Sequence, residues 1–108
     1  MTHPEFCLVM TTCADRAAAE LLAGALLERQ LAACIQLLEC HSFFRWEGAV
    51  QSEPEVLLFI KTRTASYRLL EAAVRELHDY EVPELVQVPI ETGLSGYLDW
   101  IREQTVTP

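Results

Sequence analysis

The 108-residue sequence predicts a single two-layer α+β domain of order β-α-β-β-α-β with a terminal helix, and three observations carry that prediction. Apolar residues recur at i, i+3 and i+4 in two stretches, around Leu22 and around Leu70, as in amphipathic helices. Short apolar or alternating runs at residues 6–10, 56–60 and 86–90 have the length and composition of strands. Between the two helices, long strand-like runs flank the polar turn Glu47-Gly48, which is a hairpin signal.

In chain order, residues 6–10 (Phe-Cys-Leu-Val-Met) lack helical polar spacing and read as a central strand. Thr12-x-x-Asp15 has the form of a capping box with Asp in place of the usual Glu. Leu21, Leu22, Ala25, Leu26 and Arg29 keep helical spacing among alanines, which predicts a helix over residues 15–30. The first hairpin arm, residues 33–46, reaches roughly 46 Å at ~3.3 Å per residue. A domain of this size has a diameter of roughly 34 Å. The hairpin should therefore overhang its own domain, carrying Phe43, Phe44 and Trp46. Apolar projections of that kind mark association surfaces, so an oligomer built on the hairpin is expected. In the second arm, Pro54 marks an expected break or bulge.

Residues 66–78 form the second predicted helix, with Leu69, Leu70, Ala73, Val74 and Leu77 as its apolar stripe. Arg68–Glu71 and Glu71–Arg75 have the spacing of ion pairs on its wet side. Pro83 keeps Val82 out of helical geometry, so residues 78–83 are a loop. Residues 84–91 alternate as a fourth strand, and Pro89 assigns it to an edge or an early end. Ser95 is placed to cap a third helix whose Tyr97, Leu98, Trp100 and Ile101 face inward. This order is the split βαβ arrangement of ferredoxin-like sandwiches, with strands one and three in the middle of the sheet. No linker, repeat or low-complexity segment interrupts residues 1–108.

Sixteen acidic residues against eight basic ones give a net charge of −8, which excludes a phosphate-binding surface for nucleic acid or an anionic membrane. The opening Met-Thr-His-Pro-Glu-Phe has neither the basic nor the apolar region of a signal peptide, and no apolar run approaches the ~20 residues of a membrane span. A cytoplasmic protein with reduced cysteines is the expectation. Cys7, Cys13, Cys34 and Cys40 show no Cys-x-x-Cys spacing, so no zinc knuckle or thioredoxin-like motif is present. Nucleophile elbows are absent too, and the chain contains no asparagine for an acylphosphatase-type site, so no enzyme activity is expected.

The candidates for binding are few. Lys61, the only lysine, sits in Ile60-Lys61-Thr62 near the expected end of the third strand. It suits a phosphate or carboxylate as a point charge, and it equally suits a strand-end lysine whose ammonium reaches water. Cys34 opens the second strand among small apolar neighbours, as a soft ligand or an inert buried thiol. Cys40 lies on the same face of a regular strand, about 20 Å away, too far to share an ion with it. His41, next to it, points to the other face. His78, at the end of the second helix, either caps that helix or ligates a soft cation. Tyr80 and Glu84 complete a polar, aromatic rim.

Four stretches together resemble the CutA family of divalent-cation tolerance proteins: Leu31-Ala32-Ala33-Cys34, Trp46-Glu47-Gly48 with Ile60-Lys61-Thr62, His78-x-Tyr80-Glu81-Val82-Pro83-Glu84, and Tyr97-x-x-Trp100. The resemblance spans roughly residues 7–104. It implies a homotrimer shaped like the PII signalling proteins, knitted together by the hairpins, and a link to copper and other divalent cations. Its recurring residues line clefts between subunits; here these are Cys34, Trp46, Lys61, His78, Tyr80 and Glu84, with Cys34 and His78 as the metal-ligand candidates. The function so implied is a non-enzymatic part in metal homeostasis. The alternative is a PII-like sensor that binds a small anionic metabolite in the cleft. The sequence departs from the family in having Glu39-Cys40-His41 where a Pro-Gly pair is usual, which should straighten the arm. It has Phe44-Arg45 before Trp46 where Tyr and Trp are usual. It also has Asp79 where the loop usually carries proline, which should loosen that loop.

Overall fold

The computed structural model describes residues 4–106; His3, for which no role is expected, lies outside them. Strand β3 (Ala49–Arg63) is the spine of the fold, paired with β2 (Cys34–Trp46) on one side and β1 (Phe6–Cys13) on the other. β4 (Val86–Ile90) pairs with the outer edge of β1, so the antiparallel sheet has the order β2-β3-β1-β4. The two strands with the longest apolar runs occupy the middle, as expected, and Pro89 lies in an edge strand where a missing N–H costs least. Helices α1 (Arg16–Glu28) and α2 (Tyr67–Leu77) form the second layer; a 3-10 turn at Thr64–Ser66 leads into α2, and α3 (Ser95–Gln104) closes the chain.

Side-chain alternation divides the sheet cleanly. Val9, Thr11 and Cys13 of β1, with Val56, Leu58, Ile60 and Thr62 of β3, are buried against Leu22 and Leu26 of α1 and Leu70, Ala73 and Val74 of α2. Each fully buried Leu, Ile or Val contributes about 1.5–3 kcal/mol relative to exposure. The opposite face is covered only at one end. There α3 buries Ile101 completely and is clasped by Arg63, whose Nε donates to Thr105 Oγ1 (2.8 Å) and Nη2 to the Thr105 carbonyl (2.7 Å). The rest of this open face leaves Leu38, Val86 and Val88 about half exposed.

The hairpin overhangs as expected: the molecule measures 44 × 30 × 22 Å, and Phe43 and Trp46 are 73% and 60% exposed. Glu47 (φ 50°) and Gly48 (φ 79°) make a two-residue turn with both φ positive, the type I′ geometry that matches strand twist. That turn sets an unbroken register from Trp46↔Ala49 to Cys34↔Lys61. Pairing runs unbroken through Glu39-Cys40-His41, where the Pro-Gly pair is missing.

Several local expectations are corrected. Pro54 makes no break or bulge: it pairs with His41 in continuous register, beyond the point where β1 ends at Val56, so β3 has only one ladder there. Asp15, not Thr12, caps α1; its backbone is extended and its carboxylate accepts the Ala18 N–H at 2.8 Å, while Thr12 remains in β1. Leu21 is 77% exposed because the small alanines of α1 seat a narrow stripe of Ala19, Leu22 and Leu26. Leu69 and Leu77 flank the buried stripe of α2 and stay partly exposed. The ion pairs proposed for Glu71 are replaced: Glu71 accepts from the Tyr67 hydroxyl at 3.0 Å, and the helices are tied by Arg29–Glu76 at 3.1 Å. Leu94 rather than Ser95 occupies the cap of α3, without a side-chain bond, and Tyr97 and Trp100 are more than a third exposed.

Candidate functional site

The sequence-selected residues fall into two groups at opposite ends of the open face. The first lies beside α3. Cys34 and Lys61 are cross-strand partners, and Lys61 stands two residues inside β3 rather than at its end. Lys61 Nζ donates to Gln36 Oε1 at 2.6 Å and lies 6.0 Å from the Tyr97 ring centre. Tyr97 stacks on Trp100 (5.7 Å, 30°). Burial raises the pKa of the Tyr97 hydroxyl, and the Cys34 thiol hydrogen-bonded to it raises it further. The Arg63–Thr105 clasp, with Arg102–Glu5 at 2.8 Å, fastens the helix that carries these rings.

The second group lies on the hairpin. Phe44, Gln51, Glu53 and Glu55 share one face of the two arms and, with Trp46 and Tyr80, line a depression of about 330 Å³. Tyr80 reaches it from the α2–β4 loop and donates its hydroxyl to Glu55 at 2.9 Å. Burial, then the carboxylates of Glu55 and Glu53, push the Tyr80 pKa well above the ordinary value, so the phenol stays protonated. The loop is tied to β1 on both sides of Asp79: Thr11 Oγ1 donates to the Glu84 carbonyl at 2.6 Å, and His78 bonds the Thr12 carbonyl as well as the Tyr80 N–H. Glu84 itself leaves its side chain in solvent.

His78 is at the C-cap of α2. Its Nδ1 lies 3.1 Å from the Tyr80 N–H, which can only donate, so Nδ1 accepts. Nε2 then carries the proton and donates to the Thr12 carbonyl at 2.7 Å, with Cys13 Sγ 3.9 Å away. Both nitrogens are committed within the chain. Burial, followed by Asp79, Asp15 and Glu55, pushes the Cys13 thiol pKa up to about 11, so without a metal it stays protonated beside His78.

These placements test whether a metal fits. Cys34 is opposite Lys61, whereas Cys13, against which His78 rests, is opposite Val56. Five residues of strand separate the two positions, about 17 Å. Among the described residues, no three His, Cys, Asp or Glu side chains converge where one ion would sit. Gln36, Gln51, Glu53 and Glu55 were not singled out from sequence, although counting outward from Glu47-Gly48 would have paired Phe44 with Gln51 and Cys40 with Glu55.

Comparison with known proteins adds identity to this geometry. Residues 7–104 match the family model described as CutA1 divalent ion tolerance protein. The divalent-cation tolerance protein CutA of Thermus thermophilus is 41% identical over 99 residues, covering 91% of this chain and 96% of that one. Human protein CutA is 38% identical over 95 residues; they cover 87% of this chain and 53% of the longer human one. The crystal structure of CutA1 from Oryza sativa superposes with a TM-score of 0.94 at 35% identity, covering 100% of both chains. CutA1 from Shewanella sp. SIB1 gives 0.94 at 37% identity, covering 98% of this chain and 100% of that one. With the overhanging hairpin, the split βαβ sheet and the terminal helix all shared along nearly the whole length, this chain belongs to the CutA1 divalent ion tolerance family.

Proposed function

We propose that the protein is a non-enzymatic, cytoplasmic homotrimer that binds copper or another divalent cation in metal homeostasis. Membership of the divalent ion tolerance family is the observation that carries this reading. The net charge of −8 and four free cysteines are compatible with cation attraction and a reducing compartment. The half-exposed apolar side chains of the open face and the projecting hairpin supply a surface for subunit contact. Cys34 and His78 remain the first ligand candidates. Because about 17 Å of strand separates their positions, they meet at one ion only if adjoining subunits contribute them, and His78 must then release Thr12 or Tyr80.

The test is a calorimetric copper titration of the reduced protein, with subunit mass measured in the same buffer. The reading expects a trimer with saturable binding that is lost in Cys34→Ser. A trimer without saturable binding turns the assignment toward the second reading, a sensor for a small anionic metabolite. That reading is favoured by Lys61, the only lysine, whose ammonium lies beside the stacked Tyr97 and Trp100. It expects Lys61→Ala to abolish metabolite binding and leave the trimer intact.

A further inference from the structure

We propose that the outer side of the helix layer is a docking surface for a basic amphipathic helix of another protein, seated in the groove between α1 and the end of α2. Ala18, Leu21, Leu22, Ala25, Leu77 and Asp79 line this groove, a depression of about 400 Å³. Its four α1 positions follow i, i+3, i+4 and i+7, so they form one ridge along the helix. Leu22 turns into the core, whereas Leu21 stands out 77% exposed and Leu77 keeps a third of its surface in water. A third helix packs on such a ridge by setting its own side chains into the gaps beside it. The small Ala18 and Ala25 leave those gaps on both sides of Leu21. The approach along α1 is open as well, since a Cβ added at Gly24 meets nothing within 4 Å. Charge selects the occupant. Arg16 pairs with Glu20 at 3.7 Å and Arg29 with Glu76 at 3.1 Å, so the cations of α1 face the chain's own carboxylates. Asp79 in the lining and Glu28, seven residues beyond Leu21 on the same flank of α1, are in no ion pair among the described residues. Arg75 lines a different depression, on the other flank of α2. An apolar centre with a negative rim is complemented by lysine or arginine beside an apolar stripe. Two copies of this groove, or the groove and an anionic membrane, would instead bring like charges together.

The subunit contact proposed above uses the open face of the sheet and the hairpin, whereas this groove lies on the helix layer across the sheet, so that contact leaves it uncovered. The inference depends on neither cation binding nor the anionic-metabolite reading. The test titrates the full-length protein with a peptide of about 14 residues made of leucine and lysine, with the leucines at i, i+3 and i+4 spacing; as a helix it spans about 21 Å, close to the length of the 13-residue α1. The same peptide with glutamate in place of lysine is the control. Leucine methyl resonances are followed, and subunit mass is measured in the same buffer with and without peptide. The basic peptide should bind saturably and shift the Leu21 and Leu77 methyls, while the acidic one should not. Leu21→Gln, at an exposed position where glutamine keeps the helix, should weaken binding about tenfold. Asp79→Asn should weaken it roughly two- to fivefold at low salt, and the difference should shrink as salt is added. Equal binding of the acidic peptide, an unchanged affinity in Leu21→Gln, or shifts confined to other surfaces would each overturn the proposal, as would no saturable binding. A mass that rises with protein concentration without peptide, and no longer does so in Leu21→Gln, would overturn it too, because a second copy then fills the groove.

Discussion

Truncating His78 separates its two possible roles. The structure commits both nitrogens: Nε2–H to the Thr12 carbonyl at 2.7 Å and Nδ1 to the Tyr80 N–H at 3.1 Å. A typical hydrogen bond contributes about 1 kcal/mol net, so His78→Ala forfeits about 2 kcal/mol. Thr12 is only 5% exposed, and if water does not reach its carbonyl the loss rises to about 3 kcal/mol. For a domain of this size that corresponds to a fall in Tm of about 8–12 °C. The assay is thermal unfolding at fixed protein concentration, because an oligomer's midpoint depends on concentration. Nitrogen NMR of the imidazole should show the proton on Nε2, and His78→Gln, which keeps a donor of similar reach, should recover part of the loss. A His78→Ala protein that melts within about 2 °C of the parent, or a proton found on Nδ1, refutes the reasoning. Each outcome bears on metal binding, since a metal at either nitrogen must break one of these bonds, costing about fivefold in affinity.

Four further outcomes are expected. Burial raises the Cys7 thiol pKa, and Cys13 is pushed up to about 11, so iodoacetamide on the native protein should leave both unmodified until denaturant is added, as read by peptide mass spectrometry. The carboxyls of Glu5 and Glu76 are held below their ordinary 4.5 by Arg102 and Arg29, so their contribution is present above that value and is lost as pH falls through the folded pKa; Arg102→Ala should flatten the acid limb of a Tm-against-pH curve. Leu38→Asp, on the open face, should dissociate the proposed trimer in sedimentation, since each proposed subunit loses about 1 kcal/mol of apolar burial and must desolvate a carboxylate; an unchanged mass places any interface elsewhere. Gly48→Ala should destabilise by roughly 1 kcal/mol through its φ of 79° alone, because no atom lies within 4 Å of an added Cβ; a neutral result by denaturant titration shows that hairpin opening is uncoupled from global unfolding.

The strands, their order and the overhang were legible because they follow from periodicity, length and a two-residue turn, all of which are local. What the sequence hid depends on three-dimensional neighbours. Pro54 reads as a strand breaker, and only the end of β1 at Val56 shows why one ladder tolerates it. Leu21 and Leu69 keep helical spacing as faithfully as Leu22 and Leu70, but the width of the buried stripe is decided by how closely the helices approach the sheet. Tyr97 and Trp100 looked like core residues because aromatic spacing does not reveal that α3 covers only the end of an open face. His78 was legible as a cap or ligand, but its commitment to Thr12 across 66 residues of sequence was not.

The separation of the two polar groups constrains any ligand more than either group does alone. Lys61 and Glu53 are eight residues apart on one straight strand, about 27 Å, which no small molecule spans. A ligand that needs both the lone lysine and the aromatic hairpin must therefore lie between two chains, with one subunit offering its α3 end and another its hairpin. A ligand satisfied by one group can be held by a single chain. The helix face cannot serve either case, because its buried side chains are already spent on α1 and α2. The open face and the overhang are thus the parts of this fold that a single chain leaves unfinished, and the candidate binding groups stand at their two ends.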